Sequence, residues 1–105
     1  MTKIKMTREE FRTWLAEKPD NAVVGYANDS TKDPICRFLR STKKLGGSFE
    51  NDGTNIIRIT KSGHDYEVFT LPAWAQRFTD IIDDKYARGA NERVTAAEAR
   101  KAANR

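Results

Sequence analysis

Arg37, Arg40 and Lys44 stand at i, i+3 and i+7, a spacing that places three cations in one line along a helix, with Lys43 beside them. Such a line can span neighbouring phosphates or meet a row of carboxylates on a partner. No acid occurs from Pro34 through Phe49 to neutralise it. The outer face of any surface helix has a similar composition, so the charges by themselves fit both a solvated face and a docking face.

The remaining chemistry-bearing residues point away from catalysis. His64 is the single histidine and falls in the turn "KSGHD". Asp65 follows it, but adjacent positions of a strand face opposite ways, so the two do not form an acid–base pair. Cys36 is the single cysteine, which within these 105 residues excludes an intramolecular disulfide and a thiolate cluster for zinc or iron. It lies in the first turn of a helix, where the helix dipole lowers a thiol pKa, yet it flanks the apolar stripe and reads as a packing residue. Asp80, Asp83 and Asp84 form the acidic far side of another helix. Hard cations draw their ligands from loops or from several elements, so these three read as a solvated, partner-facing patch. Gly46 and Gly47 lack the spacing and trailing lysine of a phosphate-binding loop and read as a helix cap. No catalytic residue, metal site or cofactor is expected, and the chain reads as a non-enzyme.

The elements that hold these groups follow from local patterning. Thr7 and Glu10 make a capping box that opens a helix, whose Phe11, Trp14, Leu15 and the stem of Lys18 share a face before Pro19. "AVVGYA", Ala22 to Ala27, suits a buried strand. Asp33 and Pro34 launch the helix that carries the basic line, with Ile35, Phe38, Leu39 and Thr42 on its inner side and "LGG", Leu45 to Gly47, at its end. A short strand near Ser48 to Asn51, turned by Asp52 and Gly53, precedes a hairpin. In the hairpin "TNIIRIT" and "DYEVFTL" flank Lys61 to His64, with Ile57 and Ile59 opposite Tyr66 and Val68. A third helix opens near Pro72 and closes at Gly89, with Trp74, Phe78, Ile81 and Ile82 as its stripe. Thr95 and Glu98 cap a last helix whose apolar residues beyond Val94 are alanines, so residues 94–105 are expected to dock loosely or stay mobile.

The expected fold is α+β: one small domain spanning residues 1–105, in the order α-β-α-β-β-α with a weak C-terminal helix, its antiparallel hairpin packed by helices. Trp14, Phe38, Ile57, Val68, Trp74, Phe78 and Ile81 are expected to share the core. Nineteen bases against 15 acids give a net charge of +4, which mildly favours polyanionic partners. No run of about 18 apolar residues occurs, so no membrane partner is expected. With no apolar leader after Met1, cytoplasmic residence is expected, as a monomer.

"AVVGYANDSTKDPICRFL", "FTLPAWAQRFTDIIDD" and "VTAAEA" resemble segments of a family of small uncharacterised bacterial and phage proteins, a likeness running from Phe11 to Ala99. The family pattern often has cysteines where this chain has Ser30 and Thr31, which implies no metal here. The resemblance implies a prokaryotic or phage setting and no activity. The leading functional expectation is a non-enzymatic protein-binding module that meets a larger protein or nucleoprotein complex through Arg37, Arg40, Lys43 and Lys44 on one helix and Asp80, Asp83 and Asp84 on another. A phage-encoded inhibitor or host-directed accessory protein fits, comparable to anti-CRISPR proteins in size and charge. The alternative is a winged-helix-like nucleic-acid-binding protein that reads with the basic helix 34–44 and uses "KSGH" as wing tip.

Overall fold

The computed structural model describes residues 2–42, 48–59, 66–86 and 92–105 of the chain. Ten elements follow one another: β1 (Thr2–Lys3), α1 (Arg8–Ala16), β2 (Val23–Ala27), α2 (Pro34–Thr42), β3 (Ser48–Asn51), β4 (Asn55–Ile59), β5 (Tyr66–Thr70), α3 (Ala73–Lys85), β6 (Glu92–Thr95) and α4 (Ala96–Ala103). The α+β class, the presence of four helices and the hairpin are as the sequence predicts, but α3 ends at Lys85, where Tyr86 turns extended, short of the close expected at Gly89. Lys43, Lys44, the Leu45–Gly47 cap, the Lys61–His64 turn, Asp65 and Gly89 lie outside the described residues.

β3, β4 and β5 form an antiparallel meander, and β1 adds to β5 in parallel, giving the strand order β1-β5-β4-β3. In the β4–β5 ladder Ile57 faces Val68 and Ile59 faces Tyr66, the register expected from the sequence. β2 pairs instead with β6 in a separate two-stranded antiparallel sheet. The turn from β3 to β4 uses Gly53 at φ 92°, in the left-handed region open to glycine. The side chain of Asp52 accepts from the backbone N–H groups of Thr54 and Asn55 there.

The core face of the hairpin is the opposite of the one expected. Ile56 and Phe69, a cross-strand pair, point inward beside Phe49 and Asn51, while Ile57 and Val68 are only half-buried on the other face. The sequence offers an isoleucine to each face, at 56 and at 57, so alternation alone does not choose between them. On α3 the buried side chains are Ala75, Phe78, Thr79 and Ile82, with Trp74 and Ile81 half-buried at the edges. This rotates the expected stripe toward Thr79, whose hydroxyl accepts from the Asn51 side-chain amide of β3 at 3.1 Å. Phe11 sits at the centre of an aromatic cluster, 5.3 Å from Phe38, 4.8 Å from Phe78 and 5.4 Å from Trp74 between ring centroids.

α2 is seated on β2 through a missing side chain. A Cβ on Gly25 would stand 2.5 Å from the backbone nitrogen of Pro34, so only glycine admits the first turn of the helix here. Asp33 caps that turn, its Oδ1 accepting from the N–H of Cys36 at 2.7 Å. At the other end of the chain, Ala96, Ala99, Ala102 and Ala103 are buried against α1 and α3. Alanines too small to anchor a helix by area instead let it approach closely. Arg100 then fastens α4 by donating to the carbonyls of Leu15 and Lys18 and pairing with Asp20, and Arg8 donates to the carbonyl of Ala103 at 2.8 Å. Among the described residues no helix is long and apolar enough to cross a membrane.

Candidate functional site: a cationic concavity beside helix α2

The apolar side of α2 buries Ile35, Cys36, Phe38 and Leu39, which leaves Arg37, Arg40 and Ser41 facing away from the core. They look onto a concavity of about 400 Å³ whose other walls are Trp14 of α1, Lys18 just beyond the end of that helix, and Val23 and Val24 of β2. The seating of α2 on Gly25 holds the helix alongside β2, and the pairing of β2 with β6 fixes the strand in turn.

Each cation has a defined setting. The Arg37 guanidinium lies over the Tyr26 ring at 5.4 Å from its centroid, and the Lys18 ammonium lies over the Trp14 ring at 5.1 Å. Arg40 is exposed and reaches the Thr31 carbonyl at 3.5 Å, the limit of a hydrogen bond. Among the described residues, none of these three cations is in an ion pair, and no acid lines the concavity. The floor is apolar. Trp14 is 8% exposed, packed on Phe11 and Phe38, and Val23 at 37% is one of two exposed large hydrophobic residues among those described.

Of the basic residues named from the sequence, Arg37 and Arg40 come together here. Lys43 and Lys44 lie outside the described residues. Lys18 is named from the sequence only for its stem and not as a site residue, although that placement is the signal: a lysine on the same helical face as Phe11 and Trp14 must lay its stem along the aromatic surface to bring its amine to water. Val23 carried no signal beyond membership of a strand.

The acidic residues separate. Asp80 and Asp84 are exposed on α3. Asp83 is half-buried, and its Oδ1 accepts at 3.0 Å from the N–H of Asn28, whose φ of 59° makes the turn after β2. Burial raises the Asp83 carboxyl above its ordinary value, the Asn28 N–H opposes this, and the charges of Asp80 and Asp84 add to the rise. Asp83 shares a second concavity with Asp29, Asp33, Asn51 and Asp52. Each of these acids braces a loop. Asp29 accepts from the backbone of Thr31 and Lys32, Asp52 from that of Thr54 and Asn55, and Asp33 from Cys36 and Asn51. Among the described residues no group of three or more such side chains is arranged to hold a metal ion.

Cys36 is fully buried and its Sγ lies 3.5 Å from the Ser30 carbonyl. Burial drives its thiol far above the ordinary value, and the neighbouring Asp33 adds to the effect, so the dipole at the start of α2 does not produce a thiolate. His64 lies outside the described residues.

Comparison with models of known protein families, with curated proteins and with solved structures finds no match to this chain.

Proposed function

We propose that this chain is a non-enzymatic protein-binding module that takes an acidic surface of a larger partner into the α1–β2–α2 concavity and acts by occupying that surface, as an inhibitor or accessory factor does. One observation carries the reading: Lys18, Arg37 and Arg40 converge on one concavity with no acid lining it and no ion pair among the described residues. Unpaired cations around a partly apolar hollow are arranged for an anionic partner, which they would steer and orient. The buried thiol of Cys36 and the loop-bracing roles of Asp29, Asp33 and Asp52 support a binding role over a chemical one.

The shape of the site favours a protein over a duplex. A reading helix projects as a ridge into the major groove, whereas Arg37 and Arg40 here face a hollow walled by α1 and β2. The test is capture from a prokaryotic lysate, treated or untreated with nuclease, by the wild-type chain and by an Arg37→Gln/Arg40→Gln variant with an unchanged circular dichroism spectrum. A partner retained after nuclease and lost from the variant is the expected result. A partner that vanishes with nuclease, or that the variant holds equally well, overturns the reading.

A further inference from the structure

Resting on that reading, we infer that the concavity takes an acidic peptide segment carrying one aliphatic anchor side chain, which inserts over Val23 and the edge of Trp14 while flanking carboxylates pair with Lys18, Arg37 and Arg40. Two features of the site select this occupant from the anionic candidates.

The first is the mixed wall. A free phosphate needs cations and N–H donors but gains nothing from an apolar floor, and a hollow of about 400 Å³ is far larger than one phosphate. Val23, exposed at 37% inside this ring of cations, is apolar surface that water covers at a cost until a partner covers it. The volume suits a branched aliphatic side chain and the backbone around it.

The second is the state of the aromatic ring. Single-stranded nucleic acid binds basic grooves by stacking bases on open aromatic faces. Trp14 has no open face of that kind: it is 8% exposed, stacks with Phe11 at 5.9 Å, meets Phe38 edge-on at 5.6 Å, and lies under the Lys18 ammonium. Tyr26 is under the Arg37 guanidinium. A base would have to displace a cation that the phosphates also need. An aliphatic group slides beside the ring without displacing either. The guanidinium planes stay free to pair with carboxylates, the anion their fork matches in two parallel hydrogen bonds.

The experiment titrates the full chain with four probes: a short Glu-rich peptide with one central Leu, the same peptide with Gly for Leu, an oligothymidylate of matched charge, and inorganic phosphate. Calorimetry reads affinity, and the Trp14 indole N–H signal reads the site, assigned by its persistence in Trp74→Phe. The Leu peptide should bind best and shift the Trp14 signal. Replacing Leu by Gly should weaken binding on the order of tenfold or more, as loss of a buried aliphatic side chain does. Val23→Ser should weaken the Leu peptide more than the Gly peptide, while Arg37→Gln/Arg40→Gln should weaken both. Equal binding of the Leu and Gly peptides overturns the anchor and leaves the acidic-surface reading intact. Tighter binding of the oligothymidylate overturns both, as does binding of neither peptide. Phosphate binding that competes with the Leu peptide at equal strength overturns the peptide assignment.

Discussion

Asp33 is a carboxylate placed where water barely reaches it. It is almost wholly buried, and its two carboxylate oxygens accept from the Cys36 N–H at 2.7 Å and the Asn51 amide at 2.6 Å. The Asn51 amide is oriented because its oxygen accepts from the Gly53 N–H at 2.8 Å, and its nitrogen also donates to the Thr79 hydroxyl at 3.1 Å. One carboxylate therefore ties the start of α2 to β3 and α3. Burial raises its pKa to about 7, against the pull of those N–H donors and with a further push from the Asp83 charge. A raised folded-state pKa means that the native protein holds a proton the unfolded chain has released, so stability falls as pH rises. The window runs from the ordinary value of 3.8 up to about 7. Thermal melts across that window should show a decline worth at most about 4 kcal/mol. Asp33→Asn, which keeps an oxygen for the Cys36 N–H and cannot ionise, should remove most of it, leaving the part that belongs to the raised carboxyl of Asp83. A wild-type profile that is already flat would show that the carboxylate is stabilised where it lies. Glu98 works in the other direction: hydrogen bonds, first from the Tyr86 hydroxyl and then from Lys85 and Thr95, hold it down at about 2 against partial burial. Its contribution is complete above the ordinary value of 4.5 and is lost as pH falls toward 2.

Among the elements, the α+β order, the capping boxes at Thr7 and Thr95, the glycine-bearing strand and the Asp33 cap were all legible, because each is set by contacts within a few residues. β1 and β6 were not, since two and four residues carry no readable alternation and exist only through partners far along the chain. The inward face of the hairpin was hidden by its paired isoleucines. That correction is measurable: Ile56→Ala should cost about 2 to 5 kcal/mol in denaturant unfolding and Ile57→Ala clearly less. Equal losses would return Ile57 to the core. The firm seating of α4 was also hidden, because it depends on Arg100 reaching across 85 positions to the Leu15 carbonyl. Arg100→Ala leaves the last carbonyls of α1 without that partner and should lower stability by about 1.5 to 3 kcal/mol, the range for charged hydrogen bonds. Hydrogen exchange should rise first along α4. Arg100→Lys should recover little, since one ammonium does not reproduce a fork that meets Leu15, Lys18 and Asp20 together. A protected α4 in Arg100→Ala would show that the alanine packing alone holds the helix. Half of the site was legible in the same sense: Arg37 and Arg40 follow from one helix, but Lys18 and Val23 join them only through the packing of α1 and β2.

For the whole molecule, the question is how a net charge of +4 is distributed. The cations of the α1–β2–α2 hollow are unpaired among the described residues, whereas Asp80 and Asp84 stand exposed on α3 and Asp83 braces the turn after β2. A chain with segregated charges of both signs steers toward a partner in one orientation and avoids indiscriminate adhesion to polyanions. Duplex DNA is the sharpest probe of that balance. Three converging cations neutralise about three phosphates and release few counterions, so the slope of log affinity against log salt should be shallow, about −3. Without side chains placed against base edges, sequence preference should be absent. The Arg37→Gln/Arg40→Gln variant should flatten the slope by about two further units, since each lost cation removes about one. Its melting temperature should stay close to wild type, because neither side chain is fully buried. Steep salt dependence together with a defined site bound at nanomolar strength in physiological salt would require many phosphate contacts and base contacts that this hollow does not offer, and would make α2 a nucleic-acid reader.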